Sequence, residues 1–459
     1  MKTNELRHLY WRIGFGINPT ELVALSSKSK KEIVKSLFDN ASKDSALTID
    51  TSDLVSFYKS NRGKMSREDR MKAQKMSRKK VQEYNNAWFQ RLYNSDQLLN
   101  ERMHLFWTNH FVCRDQNILH YQKYNNTMRH YALGNFGDFV KAISKEASML
   151  KYLNNKQNVK EKPNENFGRE LMELFTLGID NYSEKDIKEA ARAFTGWNHD
   201  FRGNFVLRDK KHDFGKKEFL GESGAFGGEE IIDVILAQKQ CARYICSKVY
   251  KEFVNPEIDE KNLEEITELF YHDYDIKKLM RYIFMSDWFY DKRNMGVKIK
   301  SPVELIVGLH RLVPFQFEQS NGVLFFQKEL GQVLTNPPNV AGWKGGTSWI
   351  DSNTMLVRLK LPSMLLNNSV IALEEKGDLE ESYEMYYKRM NNRKKYIKVT
   401  ANWNNFNEEF HSVLESEMPR FLLNGELSSS AQELISNLEI NNKRDYCIQL
   451  MSLPEYQMS

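Results

Sequence analysis

Cysteine is scarce in this sequence. The four present in 459 residues, Cys113, Cys241, Cys246 and Cys447, fit neither a disulfide framework nor a zinc ribbon, and are expected as reduced, mostly buried thiols. Long apolar runs are missing as well. None approaches the roughly 18 to 20 residues that a membrane span needs, so no membrane association is expected. The N-terminal stretch has no apolar h-region and no small-residue cleavage site, which gives a cytoplasmic location by default. Charge of one sign is also lacking: 66 basic against 61 acidic residues leave a net +5, no argument for nucleic acid. Lys59–Lys80 does hold ten Lys/Arg against Glu68 and Asp69. No aromatic residue falls between Tyr58 and Tyr84 to stack on bases, so this is read as a solvated helix or charged linker. There is no His-Glu-x-x-His spacing and no internal repeat.

What the chain does hold is apolar and helical in period. Hydrophobic residues make up 41% and aromatics 12%, enough for a sizeable core. The reading is mainly α: one large multi-helical domain over residues 1–459, its core at about 5–367. A small β-hairpin insertion is expected at 197–221, around Arg202-Gly203-Asn204, as the only appreciable β content. C-terminal helices are expected at 408–453. The stretch 370–410 is polar and charged, with the run Arg393-Lys394-Lys395.

The stretch Pro163–Gly178, Pro-Asn-Glu-Asn-Phe-Gly-Arg-Glu-Leu-Met-Glu-Leu-Phe-Thr-Leu-Gly, organises the rest. It reads as a short helix that Pro163 and Asn164 open and Gly178 closes. At about 100° per residue, Phe167, Leu171, Leu174 and Phe175 share an apolar face. Asn166, Glu170 and Glu173 share another stripe, with Arg169 beside it. Glu170 and Glu173 would stand about 5–6 Å apart at Cβ, close enough for one carboxyl to rise and give an acid and a base. An i, i+3 pair on one helix does not easily flank a scissile bond, which counts against a glycosidase.

Other polar groups are candidates to join this helix. Catalytic roles are assigned to Glu165, Glu170, Glu173, His212 and Asp213. Ligand-binding roles go to Asn164, Asn166, Arg169, His110, Trp197, Trp343 and Trp349. His110 lies on the apolar stripe of Met103, Phe106 and Trp107. The two tryptophans of Pro337–Trp349 sit on a Gly/Pro-rich loop that serves either as a plug or as a ligand platform. Carboxylates from the helix with a histidine from elsewhere would also suit a metal, so metal and cofactor stay open. The competing reading is structural: Glu170, Glu173, Arg169 and Arg192 would form a buried ion network between two helices.

Several motifs together resemble one bacterial family, the domain-of-unknown-function 1800 proteins. They are Arg7-His-Leu-Tyr-Trp-Arg-Ile-Gly-Phe-Gly, Phe106-Trp-Thr-Asn-His-Phe, Gly134-Asn-Phe, the 163–178 stretch and Glu189-Ala-Ala-Arg-Ala-Phe-Thr-Gly-Trp. His212-Asp-Phe-Gly, Lys300-Ser-Pro-Val-Glu, Pro337-Pro-Asn-Val-Ala-Gly-Trp and Pro454-Glu-Tyr-Gln follow. The resemblance implies a mostly helical fold. It also implies a partner of the domain-of-unknown-function 1501 family, which is similar to sulfatases and alkaline phosphatases. Relatives are often exported, a point on which this sequence departs. The expectation is a hydrolase-type enzyme centred on the 164–173 helix. The alternative is a non-catalytic binding or scaffold protein acting beside the hydrolase-like partner.

Overall fold

Helix Leu98–His110 is buried on almost every side, and its buried residues include Asn100, Glu101, Arg102 and His104 as well as Leu99, Met103, Phe106 and Trp107. It forms the axis of one of two compact units into which the chain divides, made of Ser29–Asp291 and Leu334–Lys344. The computed structural model describes all residues except 42–45, 62–64, 201, 373–395, 426 and 439. The run Arg393-Lys394-Lys395 therefore lies outside the described residues. The fold is mainly α, as the periodicity implies.

Trp107 anchors the buried helix. Its ring lies 5.4–5.9 Å from those of Phe111, Phe136 and Phe139, and its Nε1 donates to the Ala132 carbonyl at 2.9 Å. That hydrogen bond lets an indole sit in the core without an orphaned donor. The charged segment forms helix Arg67–Asn94, opened by a reciprocal cap between Ser66 and Asp69. Ala73, Ser77, Tyr84, Trp88 and Leu92 face inward, and the lysines and arginines before Val81 lie largely outward. Next come two short helices, Phe136–Ser144 and Ala147–Tyr152. Glu146 takes an extended backbone between them, and its carboxylate accepts from Thr127 Oγ1 at 2.6 Å.

The β insertion comprises two hairpins. Strands β1 (Trp197–His199) and β2 (Phe205–Leu207) pair antiparallel, Asn198 opposite Val206. Asp200 Oδ1 closes the turn by accepting from the backbone N–H groups of Arg202 and Asn204, both at 2.8 Å. Strands β3 (Lys217–Phe219) and β4 (Glu222–Gly224) pair across Leu220-Gly221 and extend past the expected boundary at 221. Both turn residues have positive φ, the two-residue geometry that matches strand twist.

The second unit comprises Met1–Lys28, Lys292–Val333 and Gly345–Ser459. It corrects one expectation, that β structure is confined to the insertion. Strands β5 (Phe315–Phe317), β6 (Val370–Ala372) and β7 (Tyr396–Ala401) form an antiparallel sheet in the order β5-β7-β6. In β7, Ile397 and Val399 are buried while Lys398 and Thr400 are exposed, so the period of two was present inside a polar stretch. Nearby, buried Lys300 lies between the rings of Trp11 and Tyr456, at 3.5 and 3.9 Å from their centroids. Its Nζ donates to the Tyr456 carbonyl at 2.6 Å, which offsets part of the cost of burying an amine. Cys113, Cys241, Cys246 and Cys447 are all buried free thiols. Among the described residues no helix is long and apolar enough to cross a membrane.

Candidate functional site: an interrupted helix carrying two carboxylates

The 163–178 stretch starts on a chain of amides. Asn158 Oδ1 accepts from the Asn164 N–H at 2.8 Å, and Asn164 Oδ1 accepts from the Asn166 N–H at 3.1 Å. Asn166 donates its side-chain amide to the Leu153 carbonyl at 3.0 Å. Asn164 and Asn166, expected to bind a ligand, thus hold the helix start, where backbone N–H groups lack intrahelical partners. Helix Asn166–Glu170 packs Gly168 against Ala190, where an added Cβ would stand 3.2 Å from the alanine's own.

The helix then widens into a π turn, Leu171–Thr176, which periodicity did not anticipate. Its bonding pattern takes in one more residue per loop than an α-helix, so side chains after Glu170 depart from the 100° spacing. Leu174 is accordingly half-buried while Phe167, Leu171 and Phe175 are buried. Carbonyls loosened or left over at this end are met by side chains. Thr176 Oγ1 donates to the Leu171 carbonyl at 2.6 Å and His110 Nε2 to that of Phe175 at 3.0 Å. Tyr244 Oη and Lys248 Nζ donate to the Leu174 carbonyl at 3.0 and 3.2 Å. A cation at the carbonyl end also opposes the helix dipole. Burial lowers the Lys248 amine to about 8. His110 is held neutral by burial and by Lys248, and the carbonyl it serves fixes its proton on Nε2. Gly178 ends the element at φ +84°.

The two arginines are engaged elsewhere. Arg169 spans Glu165 at 3.2 Å and both carboxylate oxygens of Glu184 at 3.1 and 3.2 Å. Arg192 holds Glu189 at 2.8 Å and Asp213 at 2.8 Å. Glu173 Oε2 accepts from the Tyr182 hydroxyl at 2.9 Å. Glu170 makes no hydrogen bond or ion pair with any described residue. Burial and then the neighbouring Glu173 push its carboxyl up, against a smaller opposing effect of Arg169. Tyr152 feels the Glu170 charge, and its phenol is raised, chiefly by burial. Tyr152, Tyr182, Tyr244 and Lys248 escaped sequence reasoning. Only Tyr182, beside the Ser183 cap, lies close in sequence to the motif.

His212 and Asp213 belong to a separate knot, and the three tryptophans each have surroundings of their own. His212 Nδ1 donates to the Thr195 carbonyl at 2.7 Å. The Asp213 N–H donates to Thr195 Oγ1 at 2.8 Å. Burial raises the Asp213 carboxyl, but Arg192, the Gly215 N–H and Lys217 outweigh it and keep it below the usual range. Trp197 is buried edge-on to Phe194 and Phe205. In Trp343 the backbone N–H and carbonyl are gripped by Asn109, at 2.8 and 3.0 Å. Trp349 belongs to the second unit, buried, with its carbonyl accepting from Thr354 Oγ1 at 3.0 Å. Among the described residues no three His, Cys, Asp or Glu side chains are grouped to hold a metal ion.

These features define a helical protein with a carboxylate pair on an interrupted helix. The chain belongs to the DUF1800 family, described as protein of unknown function, whose model matches residues 8–458. No curated protein and no solved structure matches the chain.

Proposed function

We propose that the chain is a hydrolase-type enzyme in which Glu170 exchanges the proton and Glu173, fixed by Tyr182, tunes it. One observation carries this reading: Glu170 is half-buried and unpaired although Arg169 is its neighbour in the chain. A carboxylate kept for packing would be paired, because a buried charge without a partner is costly. A carboxyl raised by burial and by a second acid is the state that proton transfer near neutral pH uses. The Asn164/Asn166 amides and the His110, Tyr244 and Lys248 bonds act as supports that hold the helix on which the pair stands. His212 and Asp213 act as a strut between helix Glu184–Ala193 and the β insertion.

The test is hydrolysis of chromogenic phosphate, sulfate, ester and glycoside substrates by the unmodified protein, Glu170→Gln and Glu173→Gln. The expected result is turnover of one class, lost in Glu170→Gln with the melting temperature unchanged or raised. No turnover of any class, or a Glu170→Gln variant that melts many degrees lower, would sink the reading.

A further inference from the structure

The second unit holds a cleft walled by Trp11, Phe15, Phe421 and Leu422, with Glu21 and Arg311 also in its lining. Counted out to its open mouth it measures about 400 Å³, the small end of the range for ligand sites. The local sequence shapes it. Phe15 follows helix Thr3–Gly14 at φ +67° and Gly16 comes next at φ +109°, so the chain turns sharply out of the helix. Asn18 then caps helix Pro19–Ser26, its Oδ1 accepting from the Glu21 N–H at 2.7 Å. Glu21 is thereby placed in a first helical turn, where the helix dipole favours a negative charge.

Arg311 comes from helix Pro302–Leu312, on the same face as Gly308 one turn earlier. A Cβ on Gly308 would stand 3.1 Å from the Trp11 ring, so this glycine lets the indole lie directly against the helix.

The two charges are not spent on each other. Glu21 and Arg311 feel one another's field, but no hydrogen bond or ion pair joins them, and neither side chain pairs with another described residue. Burial lowers the Arg311 guanidinium, against smaller opposing effects of Glu21 and Tyr10. A desolvated guanidinium without a carboxylate at contact distance is costly. A planar anion that takes two of its N–H groups at once recovers most of that cost.

Charge then decides what the cleft accepts. A simple anion that meets Arg311 is repelled by Glu21, and a simple cation meets the reverse. The single arginine and the small volume exclude a polyanion. A solute with both signs a few bonds apart, and an apolar remainder for the aromatic wall, suits every group in the lining. We propose that this cleft binds a free α-amino acid with an apolar side chain, its carboxylate on Arg311, its ammonium on Glu21 and its side chain against Phe15, Phe421 and Leu422. The site lies in a different unit from Glu170 and is independent of the hydrolase reading.

The test is calorimetric titration of the full chain with leucine, alanine, glycine, acetate and methylamine. The expected result is saturable binding of leucine or alanine, tighter than glycine and at least about tenfold tighter than acetate or methylamine. Arg311→Lys keeps the charge but loses the two-pronged contact, and Glu21→Gln removes the ammonium's counter-charge. Each should weaken binding about tenfold or more, with the melting temperature showing that the variant is folded. No saturation by any amino acid at about 10 mM would overturn the proposal. Acetate bound as tightly as leucine would make the cleft an anion site and overturn it too. So would folded variants that bind as tightly as the unmodified protein.

Discussion

The Tyr182 hydroxyl reaches Glu173 at 2.9 Å and leaves Glu170, three residues earlier on the same element, without a partner. Two like carboxylates are thereby made unlike. One is fixed by a donor, and the other has none among the described residues.

The first prediction concerns Glu170 and pH. Its folded carboxyl is raised, so the folded state holds its proton to higher pH than the unfolded chain does. Ionising it therefore costs stability as pH rises, and below the unfolded value near 4.5 there is no difference. Glu170→Gln should melt with the unmodified protein at pH 4 and about a degree above it at pH 8. A pH series of melting curves checks this, and a variant less stable at pH 8 contradicts it.

Asp213 has the opposite sign. Its carboxyl is held down in the folded state, so its contribution is present above the unfolded value near 3.9 and fades as pH falls through the folded value. Asp213→Asn should cost about 1–3 kcal/mol at pH 7, because Arg192 loses a charged, part-buried acceptor. By pH 3 the gap should narrow. Urea midpoints at the two pH values measure it.

Lys248 makes a third case. With its amine lowered to about 8, the folded state gives up this proton before the unfolded state does. Between pH 8 and about 10.4 the unfolded chain holds more protons, so this lysine's contribution to stability rises with pH. The stability of the unmodified protein relative to Lys248→Met should therefore improve from pH 7 to pH 10. Paired thermal scans would show it, and a constant difference would mean that the amine is not desolvated.

Gly178 sits at φ +84°, and a Cβ there would meet the Tyr244 ring at 2.9 Å. Gly178→Ala should cost about 1–3 kcal/mol through backbone strain and displacement of the ring. Because Tyr244 also serves the Leu174 carbonyl, the substitution should reduce any activity of the neighbouring carboxylates. A shifted urea midpoint at constant m-value would identify the loss as one of stability.

Much of this site was legible because it is local. Pro163 to Gly178 carries its own start, stop and apolar face, and Ser183, the N-cap of the next helix, is paired reciprocally with Asp186 three residues on. Gly203 marks its hairpin turn by a positive φ that few other residues take. The partners of the carboxylates were not legible. Arg169 pairs with Glu165 one turn back, but it also closes on Glu184 across a loop, a choice that only the packing of the two helices decides. Tyr244 and Lys248 come from a helix some seventy residues further along, and nothing in their own stretch points back. The π turn was hidden because periodicity assumes a constant angle, and Leu171 to Thr176 breaks that assumption without a proline or glycine to signal it. Strand β7 was hidden for a different reason: Ile397 and Val399 alternate correctly, but the polar residues before them outweighed a short run.

The π turn has a consequence of its own. It amounts to one surplus residue taken up within a single wide loop of the helix. In ordinary winding the same extra residue would turn everything beyond it by about 100°, and the carbonyls that His110 and Lys248 serve would face away from their donors. The wide loop confines that rotation to Leu171–Thr176 and so acts as a clocking key: it sets the angle between the carboxylates and the supports behind them.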